Sequence, residues 1–227
     1  MDSKEYLADT LASRLHDGQI IGVGTGTTVE AVLKKMKNRI EQDNFRSIQF
    51  IPTSYQSSWC LHELGLPVSS SATAARIDWG FDGADEVDPQ LRLLKGRGAA
   101  MLHEKVIAAR CSALFIVVDD SKLVAKLGSK MSVPVEVIPE SRFSVEEALR
   151  SLGATEVHLR WAVALERKVP LFTQEGNLIL DARFDSIPEQ YEAQINAITG
   201  VVENGIFGSQ ATEVLVGRES GVEVLTR

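Results

Sequence analysis

Apolar positions along this chain change their spacing several times, and each change marks an element. Leu7, Leu11 and Leu15 recur every four residues, which predicts an amphipathic helix ending near Gly18. QIIGV (19–23) is a short apolar run of strand length, and the glycine-rich GTGTT follows it. Helical spacing then returns through Val29, Val32, Leu33, Met36 and Ile40. Strand, glycine loop and helix together open an α/β unit. SIQFI (47–51) predicts the next strand, residues 56–64 a helix, and RIDWGF (76–81) a third strand running into the acidic turn FDGADEVD. GAAMLHEKVIAAR suits a helix, and ALFIVV (113–118) is an apolar strand ending at Asp119-Asp120-Ser121-Lys122. Strands alternating with helices predict a largely parallel sheet covered on both faces.

Near residue 130 the order changes. VPVEVI (133–138), a helix over 144–152, TEVHLRW, VPLFT, NLILD and a helix over 188–197 mix strands and helices without simple alternation. This predicts a small α+β domain. The tail segments VVENGIF (201–207), TEVLVG and VEVLT read as short strands able to return to the first sheet. The expected division is a larger domain of 1–130 plus 206–227 and a smaller one of 131–205.

Composition narrows the function classes. With 227 residues, 44% hydrophobic, the chain can bury a substantial core. A net charge of -7 without any basic run argues against a nucleic-acid partner. Cys60 and Cys111 lie in apolar surroundings without CxxC spacing, which predicts reduced thiols in a cytoplasmic protein. Neither a signal peptide nor a membrane span is expected, because the first residues lack an apolar stretch and no later run is long enough. His16, His62 and His158 share no ligand spacing, so no zinc site is expected.

In an open parallel sheet, ligands bind beyond the carboxyl ends of the strands. Four polar loops fall there: 24–28, Thr53-Ser54, 82–88 and 119–122. GVGTGTT is not GxGxxG and lacks the GK[ST] of a P-loop. It offers approachable backbone N–H groups, hydroxyls and a helix N-terminus, a combination that suits a phosphate monoester. The plainer alternative is a tight turn with Thr28 as helix cap. Asp82, Asp85, Glu86 and Asp88 crowd one turn, and such crowding can separate carboxyl pKa values for acid–base work. The competing reading is a solvated turn with Asx-type bonds. Lys95 stands before Gly96 and Gly98, where it could neutralise a developing oxyanion. Glu104 falls in the first turns of the following helix, as a functional acid or an exposed one beside Lys105. His103 reads as a surface or supporting residue. A magnesium site on the aspartates is the weaker alternative, since Lys95 would compete for their charge.

GVGTGTT, PTSYQ, FDGADEVD, LLKGRGAAMLHEK, VDDSKLV, VPVEVIP and EGNLILD occur in the order found in the ribose-5-phosphate isomerase A family, which this chain resembles over nearly its whole length. The resemblance implies a Rossmann-like, mostly parallel sheet domain with a small ferredoxin-like α+β domain. It implies a homodimer or homotetramer acting on a small sugar phosphate, and metal-free, cofactor-free interconversion of ribose 5-phosphate and ribulose 5-phosphate in the pentose phosphate pathway. Carried over by motif, Thr25, Gly26, Thr27 and Thr28 form the phosphate loop, with threonine replacing the family's serine at 27. Asp82, Gly83, Ala84 and Asp85 form the substrate turn. Lys95, Gly96, Arg97 and Gly98 match the KGGG segment, Glu104 the catalytic base, and Lys122 the lysine of a later substrate loop. Lys4 corresponds to an N-terminal lysine that reaches the phosphate in relatives. Two departures stand out: Arg97 replaces a glycine, and TQEGN replaces TDNGN at Gln174 and Glu175. Arginine at 97 would strain a backbone needing positive φ; otherwise it adds a cation. The rival readings are a non-catalytic sugar-phosphate sensor and a deaminase or lactonase of the wider superfamily. The first would ordinarily bring a DNA-binding motif, and the second a site histidine.

Overall fold

A computed structural model of the protein describes residues 2–164 and 166–227. Its contacts divide the chain into two units, the first comprising Met1–Ala84, His103–Leu123 and Gln210–Arg227, the second Asp85–Leu102 and Val124–Ser209.

The first unit is built on a six-stranded sheet in the order Gly221–Thr226, Glu213–Arg218, Leu114–Asp119, Trp79–Asp82, Ile20–Val23, Gln49–Pro52. The last five run parallel, and Gly221–Thr226 closes one edge antiparallel. Leu114 to Val118 are buried without alternation, as a parallel strand covered on both faces requires. On one face Ile21, Val23, Phe50, Phe81 and Val117 pack with Leu7 and Leu11 of helix Ser3–Ala12 and with Val32, Leu33 and Met36 of helix Thr27–Gln42. On the other, helix Met101–Arg110 comes close over two glycines. A Cβ at Gly22 would lie 2.5 Å from Ile107 Cγ2, and one at Gly80 2.6 Å from Cys111 Sγ. Both positions need the missing side chain for the helix to approach.

The first helix stops at Ala12, short of the expected Gly18. Arg14 and Leu15 donate their N–H groups to the carbonyls of Leu11 and Ala12, so the chain tightens into i→i+3 turns that still bury Leu15. Of the three tail segments, TEVLVG and VEVLT join this sheet, whereas VVENGIF does not.

In the second unit, strands Val133–Val137, Glu156–Leu159, Leu178–Arg183 and Val201–Asn204 form an antiparallel sheet in the order Val201–Asn204, Val133–Val137, Leu178–Arg183, Glu156–Leu159. Helices Arg142–Ser151 and Tyr191–Asn196 are the crossovers, giving the β-α-β-β-α-β order of a ferredoxin-like fold. Valines 133, 135 and 137 pack with Val145, Leu149, Leu180 and Ile195 in one apolar core. TEVHLRW divides at Arg160: Glu156–Leu159 stays in the sheet, and Trp161–Ala164 forms a hairpin with Arg167–Pro170.

Residues 85–102 also belong to this second unit, where the sequence expectation had grouped them with the parallel sheet. Glu86–Val87 pairs with Leu93–Leu94, and Leu93–Leu94 pairs with Ile206–Phe207. Leu94 and Ile206 enter the same core as the valines. The acidic turn is therefore cut between Ala84 and Asp85. Among the described residues, no helix is long and apolar enough to cross a membrane.

Candidate active site

Counted along the chain, the five parallel strands of the first unit lie in the order 2-1-3-4-5, so the order reverses between Ile20–Val23 and Trp79–Asp82. A crevice opens at such a switch point, outside the carboxyl ends of the strands. The loops 24–28, 53–54 and 119–122 and the start of the acidic turn all leave parallel strands at that one edge.

At the reversal, loop and acid meet. Asp82 is only 4% exposed, and its Oδ1 accepts from the N–H of Gly83 at 2.7 Å and of Thr25 at 3.2 Å. Gly24 permits this closeness: a Cβ there would sit 2.1 Å from the Asp82 carboxyl carbon. Gly26 has φ 126 and caps helix Thr27–Gln42, taking the place Thr28 holds in the plain-turn reading. The N–H groups at the helix start, beginning with Thr27 and Thr28, thus have no earlier helical turn to bond. Thr25 Oγ1 lies 2.7 Å from Ser54 Oγ and 3.2 Å from Thr53 Oγ1, so the neighbouring strand's loop braces it. Lys4 Nζ donates to Thr27 Oγ1 at 3.1 Å, which brings the N-terminal helix to the phosphate-loop candidate.

Glu104 is buried at 7% exposure in the first turn of its helix. It shares a helix face with Ile107 and Cys111, the residues that cover Gly22 and Gly80. Cys111, one residue past the helix, bridges to Ile77, just before strand Trp79–Asp82. The helix therefore runs back along the sheet, and Glu104 lies about 10 Å from Cys111 toward the carboxyl edge. The exposed-acid alternative for Glu104 is excluded by its burial. Lys122 ends a single turn, Asp120–Lys122, capped by Asp119, whose Oδ1 accepts from the Ser121 N–H.

The second unit holds the other candidates. Asp85 Oδ2 accepts from the Arg97 N–H at 3.2 Å. Lys95 is 4% exposed, its Nζ is 5.7 Å from the Phe207 ring centre, and its N–H donates to Gly205 O. Gly96 has φ 109, and Pro134 and Met101 crowd the place of its absent Cβ. Arg97 is exposed and lies outside the positive-φ region, so arginine brings no backbone strain there. Gly98 faces open space.

Glu86 and Asp88 have structural work. Glu86 is fully buried and accepts from the N–H groups of Gly128, Lys130 and Met131 at 2.6, 2.6 and 2.8 Å. Asp88 accepts from the N–H groups of Gln90 and Arg92 and from the Arg92 guanidinium. In TQEGN, Thr173 and Asn177 both donate to buried Glu136, while Gln174 and Glu175 occupy the exposed tip of the turn. The changed positions are thus both exposed ones. Among the described residues, no group of three or more His, Cys, Asp or Glu side chains is arranged to hold a metal ion.

A profile described as ribose 5-phosphate isomerase A (phosphoriboisomerase A) matches residues 49–221. A ribose-5-phosphate isomerase A from Synechococcus sp. is 42% identical over 226 residues, covering 99% of this chain and 96% of the relative. The chain belongs to the ribose-5-phosphate isomerase A family. Among solved members of the family, the isomerase from Methanocaldococcus jannaschii superposes with a TM-score of 0.92 at 35% identity, covering 99% of this chain and 98% of the other. A D-ribose-5-phosphate isomerase in complex with phospho-erythronic acid also gives 0.92, at 37% identity and the same coverages. Membership in this family of isomerases makes sense of a hydroxyl-braced loop beside a buried aspartate. It leaves Arg160, which contacts the Gly96–Arg97 backbone, as a residue that motif reading passed over.

Proposed function

We propose that the protein interconverts ribose 5-phosphate and ribulose 5-phosphate through an enediolate, as a step of the non-oxidative pentose phosphate pathway. One observation carries the reading: in a chain of this family, a glycine- and hydroxyl-rich loop and a buried acid meet where the strand order reverses. The relative solved with phospho-erythronic acid supports it, because that ligand joins a phosphate to a planar carboxylate, much as the enediolate joins a phosphate to a planar reacting end.

In this reading Thr25, Gly26, Thr27 and Thr28 hold the phosphate, with Lys4 and Lys122 adding positive charge. Binding energy from that remote group fixes the reacting carbons. Asp82 and Asp85 open the furanose ring, passing the anomeric hydroxyl proton to the ring oxygen. Glu104, as a carboxylate, then takes the proton from C2 of the open-chain aldehyde, and the electron pair moves onto O1. The Lys95 ammonium offsets that oxyanion. Return of the proton to C1, with the O2 proton relayed to O1 by the aspartates, yields the ketose. Burial suits Glu104 to this role by excluding competing water from the base.

Glu104→Gln keeps the shape and removes the base, so kcat should fall by roughly 10³-fold with KM little changed. Turnover within about tenfold of wild type would remove Glu104 from that role. The assay is run with EDTA, because the scheme uses Lys95 in place of a metal ion; activity abolished by the chelator and restored by metal sinks that part. We further propose a cytoplasmic homodimer or homotetramer, from the family resemblance and the reduced-thiol reading of Cys60 and Cys111. Light scattering tests the assembly.

A further inference from the structure

Arg160 has no place in the chemistry above, yet its guanidinium is tied to the loop that carries Lys95. It sits where the chain leaves the four-stranded sheet, between Glu156–Leu159 and Trp161–Ala164. Its Nε donates to Asp181 Oδ2 at 2.9 Å, and its Nη2 donates to Asp181 Oδ1. The side chains are 14% and 27% exposed, respectively. Two parallel bonds to one carboxylate fix the plane of a guanidinium. The remaining nitrogen, Nη1, then donates to Gly96 O at 2.6 Å and to Arg97 O at 3.2 Å.

Those two carbonyls are neighbours in KGRG, immediately after Lys95. The same stretch is held from other sides by Lys95 N–H on Gly205 O, Ala99 N–H on Gly96 O and Arg97 N–H on Asp85 Oδ2. A lysine at 160 could satisfy Asp181 as a point charge. It could not fork to the carboxylate and the two carbonyls together. The arrangement is more specific than neutralising Asp181 requires.

We infer that Arg160, oriented by Asp181, is a positioning residue for the isomerase reaction. It holds the Gly96–Arg97 backbone, and through it Lys95 and the Asp85 carboxylate, in the geometry that chemistry needs. The inference rests on the isomerase reading for its consequence, though not for its geometry.

Arg160→Lys and the double variant Arg160→Met/Asp181→Leu are compared with wild type by three measurements. These are deuterium uptake of the 95–102 peptide, kcat and KM on ribose 5-phosphate, and thermal unfolding. Expected in both variants are faster exchange at the Arg97 and Ala99 amides and a loss of about tenfold or more in kcat. KM should stay within about threefold, because the phosphate loop is untouched. A merely structural pair would lower the melting temperature and leave kcat and loop exchange alone; that result overturns the inference. So does loss of the fold in both variants. Wild-type protein inert on ribose 5-phosphate would refute the isomerase reading instead, and the exchange data would still decide whether Arg160 holds the loop.

Discussion

Replacing Gly24 by alanine tests the meeting of loop and acid most directly. Gly24 lies outside the positive-φ region, so alanine can adopt its backbone without strain. The obstacle is wholly steric: the new Cβ would lie 2.1 Å from Asp82 Cγ and Oδ1 and 2.6 Å from Asp82 Cβ. Relief requires more than about 1 Å of movement to reach ordinary contact. Asp82 cannot swing away without giving up the bonds from Gly83 and Thr25 that hold Oδ1. Overpacking costs about 1–3 kcal/mol, and a weakened bond to a carboxylate contributes on the order of 1 kcal/mol more. The sum, roughly 2–4 kcal/mol, corresponds to a melting temperature lower by roughly 5–15 °C in a chain of this length. Displacing Asp82, the proposed ring-opening acid, by about 1 Å should reduce kcat roughly 10²-fold. Asp82→Asn, which keeps the shape and loses the proton-accepting charge, should match the activity loss with a smaller drop in melting temperature. Thermal unfolding and a direct assay of ribulose 5-phosphate formation separate the two effects. A Gly24→Ala protein that is destabilised but fully active shows that the Asp82 carboxylate is not used. One that is unchanged in both respects refutes the contact itself.

Glu86→Ala takes the carboxylate acceptor from the buried Gly128 N–H and the half-buried Lys130 and Met131 N–H groups, and should lower stability by about 3 kcal/mol in chemical denaturation; a loss below about 1 kcal/mol would mean that the carboxylate does not organise residues 128–131. Arg97→Gly should change stability by less than about 0.5 kcal/mol, since no strain is relieved, and should raise KM for the sugar phosphate at low salt only. A KM unaffected at every ionic strength would show that the cation does not act on the substrate. Burial pushes the Cys111 thiol up to about 12, so native protein at neutral pH should leave it unmodified by thiol reagents until unfolding. Because the folded state favours the neutral thiol, its contribution to stability is full below about pH 9 and is lost as pH rises toward 12; Cys111→Ala should flatten that alkaline decline in melting temperature.

Much of the first unit was legible because its signals are local. A strand-length apolar run, a glycine loop and a return to helical spacing marked the phosphate-loop candidate without any partner. The membership of Asp85 was not legible. It depends on Leu93–Leu94 pairing with Ile206–Phe207, more than a hundred residues later. The role of Glu86 was not legible either, since its neighbours in sequence say nothing of Gly128 or Met131. The first helix ends at Ala12 although its apolar spacing continues to Leu15, because tertiary burial of Leu15 outlasts the helix. Arg160 carried no motif signal: the carboxylate that orients it is 21 residues away and the carbonyl it holds is 64 away.

Arg97 shows how a departure from a family pattern can be resolved by asking what the backbone demands. Three glycines in a row suggest three positions needing conformational freedom, yet the demand falls unevenly here. Gly96 takes φ 109 and has no room for a Cβ, so it cannot vary without cost. Gly98 has room and lies outside the positive-φ region, as does Arg97, whereas Ala99 takes φ 57 despite its side chain. The loop's shape is set by Gly96, by the Ala99 N–H on Gly96 O, and by the two carbonyls that Arg160 grips. All of those interactions use main chain, which a side chain at 97 pointing to solvent leaves intact. A residue that contributes only its N–H and C=O to the loop can exchange glycine for arginine without disturbing Lys95. Whatever Arg97 changes must therefore come through its charge, and the reaction type is the property least exposed to it.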